Sequence, residues 1–443
     1  MRGRHDPLPI MEFSTLHVRQ GRPCPPMSSS PITAVIDELA GQIPDRASSP
    51  GSVTDSEWTG LREALAQVPD PRRRRGVRYP FAVILTIVVC AMLSGARSFA
   101  AIGEWVADLP ADTRAGLGLT GRIPGPVTIW RVLVRVDRVA LEAAVGAWIR
   151  ARLDAVDTAA HQPPQRRRRV RRVLAVDGKA MRATRHGTHP VHLLGVLDHT
   201  RGVVLAQVDV DEKTNEIPLF STALDQIPDL TDVLITVDAM HAQTAHADYL
   251  HARGAHLLVT VKRNQPTVHT RLKTLPWKDV PVGHTTTGRG HGRIETRTLK
   301  AVTVPAGLGF PHAAQAIQIT RTSRPISKNK KKTEGKRRQR RETVYAICTL
   351  PAEDALPAEL ATWIRGHWSI EVRLHWVRDV TLGEDLHQAR TGSGPQVMAA
   401  LRNLVISLLR FAGFTNIARA LRHHARHPDQ AITLVTSTNT TLQ

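Results

Sequence analysis

Two short apolar runs constrain the fold of this chain more than any other feature. They are VLAVDGK (Val173–Lys179) and DVLITVDAMHAQ (Asp232–Gln243), and each stays β-branched and apolar until it meets an acid, Asp177 in the first and Asp238 in the second. β-branched side chains fit the pleated surface of a sheet, so both runs predict short buried strands. An unpaired carboxylate at the end of a buried strand is costly to desolvate, which means each acid needs a partner. A third acid stands in HWSIEVRLHWVRDVTLGED (His367–Asp385). Here Trp363, Ile370, Leu374 and Val377 fall at helical spacing and predict an apolar stripe. On another face His367, Glu371, His375 and Arg378 lie at i, i+4, i+8 and i+11, so a continuous helix would stack them along one side. Taken alone, that face reads as an ordinary solvated ion pair.

The rest of the chain falls into parts around these three acids. Residues 1–54 are rich in Pro, Ser and Gly and read as a disordered extension, with one short helix expected over Ile32–Ile43. Residues 55–158 read as an all-α N-terminal domain, with helices expected at Ser56–Val68, Phe81–Leu93, Ser98–Leu109, Gly125–Asp137 and Ala140–Val156. A basic linker follows over 159–172. In 173–265 strands are expected at Val173–Val176, His192–Leu197, Val203–Val210, Val233–Val237 and His256–Val261, with helices at Pro218–Gln226 and Ala242–Arg253, which is an α/β order. Gly178 and Ala239, just past the two aspartates, are small enough to let a phosphate or a metal approach. After Gln265 short β-like runs appear, and the interval from Asp238 to Glu371 is about twice that from Asp177 to Asp238. That implies a β-rich insertion over 266–355, followed by C-terminal helices over 356–425 and a tail over 426–443.

Charge narrows the partners. Lys+Arg number 60 against 39 Asp+Glu, a formal +21, which points to a polyanion. Arginines cluster in HQPPQRRRRVRR (His161–Arg172), which includes Arg169, and basic residues crowd KNKKKTEGKRRQRR (Lys328–Arg341), which includes Lys331 and Arg338. Such segments grip phosphates through counterion release, and as bare charge runs they are equally at home in solvent. Cys24, Cys90 and Cys348 are far apart and form no CxxC, so neither a disulfide framework nor a zinc–cysteine site is implied and a reducing cytosol is expected. The most apolar run, Phe81–Leu93, is too short for a membrane span of ~20 residues and predicts a buried core helix. His423, His424 and His427, like His186, His189 and His192, have no accompanying oxygen or sulfur ligands that would make them a metal site.

Two strand-end acids and one helix acid suit a site of hard oxygen ligands, as magnesium prefers. Two such ions ~3.5–4 Å apart can clamp both oxygens of an in-line phosphodiester displacement. Six motifs in order, AVDGK, KTNEIPLF, TVDAMHAQ, VKRNQP, GHGRIETR and HWSIE..LHW..DV...ED, resemble those of bacterial DDE transposases of the ISAs-type insertion-sequence family, the H-repeat-associated group. With DPRRRRGVRYP and GARSFAAIGEW upstream, the resemblance runs from about Leu61 to about Arg422.

The resemblance implies an α/β fold: an RNase H-like core with an all-α N-terminal domain and a β-rich insertion before the last catalytic helix. It implies Asp177, Asp238 and Glu371 as both the catalytic triad and the metal ligands, with two Mg2+ (or Mn2+) ions. It implies double-stranded DNA as partner, at the element's ends and at the target. A homodimer on DNA is expected, in the bacterial cytoplasm with the nucleoid and away from membranes. Arg378, Lys262, His291 and Arg293 match family positions for DNA contact, His241 matches one for contact or support, and Arg169, Lys331 and Arg338 add phosphate contacts from the basic segments. Trp368 or Trp376 is a candidate for stacking on an extruded base, with core packing expected of at least one of them. The chain departs from the pattern in three places. Ile364 and His367 stand where the wider signature has Tyr and Arg, and Val372 follows the glutamate where the closer subgroup usually has Asn. Two other functions fit the same residues: a decayed or domesticated relative that binds DNA without cutting, and a metal-dependent nuclease that does not join strands.

Overall fold

A computed structural model describes residues 60–160, 171–326 and 340–436, apart from 76, 187–188, 212–213, 291, 306 and 388. The expected N-terminal extension, most of the basic linker and most of the Lys328–Arg341 run lie outside the described residues.

Helices lead the chain: α1 (Gly60–Ala66), α2 (Phe81–Leu93), α3 (Phe99–Asp108), α4 (Ala111–Gly116), α5 (Pro126–Leu133) and α6 (Arg138–Ala160). The Ser98 side chain caps α3 by accepting from the Ala101 N–H. Pro126 opens α5, where its missing N–H costs nothing. In α2 every residue but Ala82 is buried. No helix among the described residues is long and apolar enough to cross a membrane.

The strands are β1 (Val173–His186), β2 (His189–Asp198), β3 (Val204–Val210), β4 (Leu234–Val237), β5 (His256–Val261), β6 (His284–Gly290), β7 (Arg293–Thr303), β8 (Gln315–Pro325) and β9 (Arg340–Cys348). They form one sheet in the order β3-β2-β1-β4-β5-β9-β8-β7-β6. β1 pairs antiparallel with β2 and parallel with β4, and β4 pairs parallel with β5. Helices α7 (Leu219–Asp225), α8 (Thr244–Ala252) and α9 (Pro266–Thr274) punctuate this half, and α10 (Pro357–His367), α11 (Gly394–Phe411), α12 (Ile417–Arg426) and α13 (Pro428–Thr436) close the chain.

One sequence expectation changes here. β1 does not stop at Asp177: antiparallel pairing with β2 carries it on, with Asp177 opposite Gly195 and Lys179 opposite Leu193. In the β-rich segment, β9 pairs directly with β5, Tyr345 opposite Val261, and extends the same sheet.

Alternation along the strands separates two cores. Val173, Leu234, Leu258, Leu299, Ile317, Ala346 and Cys348 share one face and pack with Leu360 of α10. Leu174, Val176, Ile235, Val237, Leu257 and Val259 belong to the main core, with Phe220 of α7 and Leu250 of α8. That core continues unbroken through Leu61 and Leu65 of α1, most of α2, and Leu401, Leu404 and Leu408 of α11. The N-terminal helices therefore share a core with the C-terminal ones, although their sequence pattern sets them apart.

One buried ionic knot ties these layers together. Glu384 lies in a single 3-10 turn (Glu384–Leu386) and is 2% exposed. It accepts from Arg378 Nε at 3.0 Å and Nη2 at 2.9 Å, and from Arg402 Nη1 of α11 at 3.2 Å. Arg378 Nη1 also donates to Gln207 Oε1 of β3 at 2.9 Å, an oxygen shared with Asn403 Nδ2 at 2.8 Å. Arg378 is 1% exposed, so the structure places this expected DNA contact in the interior, with its guanidinium taken up by Glu384 and Gln207. Removing one partner of a buried ion pair strands the other charge, at a cost of about 3–5 kcal/mol. Glu384→Gln should therefore lower stability by about that amount, read as a drop in the denaturation midpoint without loss of folded-state helix content.

Candidate active site

Parallel pairing of β1 with β4 sets Val176 against Val237. The next residues, Asp177 and Asp238, thus sit side by side on the sheet face that carries α10. Asp238 ends its strand as the cap of a 3-10 turn, Ala239–His241, accepting from the Met240 N–H at 2.9 Å. α10 is pinned to the same face by its last residue: His367 Nδ1 lies 3.2 Å from Thr236 Oγ1, two residues before Asp238. Thr236 also meets His199 Nε2 at 2.9 Å. Burial pushes His367 down to about 4 and His199 to about 3, so both imidazoles are neutral at pH 7.

The spacing of Trp363 to Arg378 predicts one continuous α-helix, but the structure departs from it. After His367 the chain winds through two π-helical segments, Glu371–His375 and Val377–Thr381. Their i→i+5 turns are wider than α turns, and such segments occur mostly at functional sites. The wider winding keeps Glu371 and His375 together and sends Arg378 inward. Ile370, Leu374 and Val377 still pack in the main core.

Glu371, His375 and Asp177 converge. His375 Nδ1 lies 3.0 Å from Glu371 Oε2 and 3.7 Å from Asp177 Oδ2. One ligand-capable atom from each of the three lies within 4.8 Å of the others. Burial, then the charges of Glu216 and Glu371, and more weakly that of Asp238, push Asp177 up to about 7, against a hydrogen bond from the Gly178 backbone. The hydrogen bond with His375 holds Glu371 below its ordinary range, and burial lowers His375. Lys179, on the same strand face as Asp177, is buried with its ammonium 2.5 Å from Asp379 Oδ1 of the second π segment. Two carboxylates and an imidazole this close, with a third carboxylate alongside, can hold a divalent cation.

Glu216, in the KTNEIPLF motif, is a site residue that the strand-end pattern gives no reason to select. It is 7% exposed; His192 Nε2 lies 2.9 Å from Oε1 and His241 Nε2 3.3 Å from Oε2. Burial alone would raise its pKa, but these two hydrogen bonds and the histidine charges outweigh it and hold Glu216 at about 2. Its carboxylate also explains Gly178, where a Cβ would fall 1.9 Å from Glu216 Oε1. The missing side chain therefore makes room for Glu216, not for an approaching phosphate. The signal that could have found Glu216 is the pair of histidines, His192 on β2 and His241 in the turn after β4.

The other candidates divide. Lys262 and Arg293 are exposed. His241 is 1% exposed and packs against Phe220 and His246, so it supports Glu216 from inside. Trp368 is 62% exposed, whereas Trp376 packs on the main core. His423 and His424 are engaged by Gln430 and the Ala420 carbonyl. His291, Arg169, Lys331 and Arg338 lie outside the described residues.

A cation entering the cluster must displace the proton that Asp177 holds up to about pH 7. Affinity of the chain for Mn2+ should therefore rise as pH increases from 6 through about 7 and level off above it. Isothermal titration calorimetry across that range checks this; affinity flat from pH 5.5 to 8 would contradict it.

Comparison with known proteins gives the family of the chain. The model "Transposase DDE domain" matches residues 168–408, more than half of the chain, and "DDE_Tnp_1-associated" matches residues 62–149. The chain is 27% identical over 368 residues to "Putative transposase YncI" of Escherichia coli O157:H7, covering 79% of this chain and 87% of that protein. It is 25% identical over 372 residues to "H repeat-associated putative transposase YhhI" of Escherichia coli (strain K12), covering 80% and 91%. Among solved structures, the piggyBac transposase synaptic complex with hairpin DNA aligns over 87% of this chain and 79% of that one, at 10% identity and a TM-score of 0.39. Asp177, Asp238 and Glu371 fall within the residues matched by the DDE domain, and the chain belongs to the DDE transposases, in the group of the H repeat-associated proteins.

Proposed function

We propose that this transposase cuts DNA at the ends of an insertion sequence and joins the freed ends to target DNA. Asp177, Asp238 and Glu371 are the carboxylates that hold two divalent ions, magnesium or manganese. The observation that carries the reading is the convergence of acids remote in sequence: Asp177 on β1 beside Asp238 just past β4, and Glu371 on a π turn in one cluster with Asp177. Antiparallel β3-β2-β1 running into parallel β4 and β5 supports an RNase H-like core, in which the first two acids occupy neighbouring strands.

The donor set fits such ions. Carboxylate oxygens are what hard divalent cations take, and the crowding of negative charge that raises Asp177 is relieved by a cation among the acids. When bound, the ions supply Lewis acidity to the scissile phosphate and to the oxygens entering and leaving it. Within the chain, Lys179 offsets the acid cluster, and His367 fixes the helix that delivers Glu371.

Topology also supports a path for DNA. β4 and β5 are parallel and end at Val237 and Val261, so Asp238 and Lys262 leave the sheet at a common edge, with Asp177 beside Asp238 on β1, which runs on. β9 runs against β5, and its first residues, Arg340–Val344, lie beyond the Tyr345–Val261 pair. At a strand rise of ~3.3 Å these five residues carry the sheet about 16 Å past that edge. Arg293, Arg324 and Arg340 belong to this projecting end, with Arg321 and Ser323 around a cleft. They are proposed to hold phosphates on duplex DNA, and exposed Trp368 is proposed to stack on a base near the cut. A pair of chains, one for each element end, completes the proposed assembly.

The test is cleavage of DNA carrying the gene's own flanking sequences by wild type and Asp238→Ala, with magnesium and with chelator. Metal-dependent cuts at the element ends, at least 1,000-fold weaker in the variant, are expected. Tight, salt-sensitive binding without cuts by the wild type would instead favour the non-cleaving DNA-binding relative.

A further inference from the structure

We propose that His375 Nδ1 is itself a metal ligand, which makes one of the two cation positions a mixed nitrogen–oxygen site of Asp177, Glu371 and His375. This rests on the divalent-ion reading above. It adds an imidazole to an oxygen-only triad and gives the two ions chemically different homes.

The geometry carries the assignment. Adjacent ligand atoms of an octahedral ion held at ~2.1 Å lie about 3.0 Å apart. His375 Nδ1 lies 3.0 Å from Glu371 Oε2 and 3.7 Å from Asp177 Oδ2, and one ligand atom from each of the three residues falls within 4.8 Å of the others. A single ion can therefore reach all three with small side-chain adjustments. Asp238 lies outside this group and is left to complete the second position with Asp177.

The imidazole is also preorganised. His375 is 4% exposed, between Leu374 at 1% and Val377 at 6%, on a π segment that fixes its backbone. A histidine that served only to balance charge on Glu371 would do so equally well from the rim. This one is buried with Nδ1 turned towards both carboxylates. Imidazole raises affinity for later first-row ions relative to magnesium, so the mixed position should favour Mn2+ over Mg2+ more strongly than an oxygen-only site does.

The competing role is a hydrogen bond from Nδ1 that merely orients Glu371. Affinity alone does not separate the two, because losing such an outer partner also costs 10–100-fold. Pulsed EPR of Mn2+ bound to the full chain does separate them, since a coordinated imidazole imposes a 14N coupling on the ion. The expected result is 14N coupling in the wild type, replaced by 15N coupling when histidine is 15N-labelled. His375→Asn should lose the coupling and bind Mn2+ at least 10-fold more weakly.

Bound Mn2+ without nitrogen coupling in the wild type, coupling that survives in His375→Asn, or no Mn2+ bound at millimolar concentration would each overturn the assignment. Absence of coupling in the labelled wild type overturns the assignment whatever the variant does, and His375→Gln repeats the comparison if His375→Asn does not fold. The cleavage assay distinguishes this proposal from the transposition reading. A wild type that cuts in Mn2+ but shows no coupling sinks the histidine ligand alone. One that shows the coupling but never cuts sinks the cutting activity and leaves the ligand standing.

Discussion

The parallel register of β1 on β4 is the constraint on which the rest depends. It is only four pairs long, from Val173–Leu234 to Val176–Val237, yet it sets two aspartates abreast at the edge of a sheet whose interior is apolar on both faces. The other features of the site are built around that placement. Lys179 and Asp379 bridge the strand to the π segment, His367 anchors the helix above Thr236, and Glu216 is satisfied by two histidines on the far side of Gly178. A slip of one residue would turn Asp177 into the packed side and expose Gly178, so the register and the chemistry are specified together.

Much of this was legible in the order of residue types. The two strand-end acids follow from β-branched runs that stop at a carboxylate, and β2 to β5 fall within a few residues of their expected limits. α2 follows from an apolar run too short to span a membrane. Three features were not legible, each for a physical reason. Periodicity at 3.6 residues cannot announce a π turn, because Glu371 and His375 at i and i+4 look the same on either winding. That is why Arg378, placed on the exposed face by α spacing, is found inside against Glu384 and Gln207. The continuation of β1 to His186 rests on its pairing with β2 and not on an apolar run of its own, since DGKAMRATRH carries three basic residues besides its last histidine. Glu216 depends on contacts from β2 and from the turn after β4, so a residue outside the expected strands and helices supplies a buried carboxylate.

The internal ionic knot shows a related economy. Arg378, Glu384 and Arg402 link the second π segment to α11, and Gln207 and Asn403 link both to β3. Such a cluster adds little to stability compared with well-packed apolar residues, but it demands a unique geometry from its members. Its position just after the residues that form the site ties the unusual winding of Glu371–Thr381 to the rigid body of the protein, while its charges stay out of contact with anything outside.

The unbroken pairing of β9 onto β5 has a mechanical consequence. A projecting arm joined by a flexible loop could swing independently of the acids, whereas one that continues the same hydrogen-bonded ladder cannot. The sheet then acts as a ruler. Its graduation is the strand rise of ~3.3 Å per residue, close to the ~3.4 Å spacing of bases along B-DNA. On the proposed path, the number of residues between Tyr345 and the arm's tip fixes how far from the cut the phosphates are held. Evolution could reset that distance by lengthening or shortening β8 and β9 two residues at a time, a step of about two base pairs, without touching the acids at all.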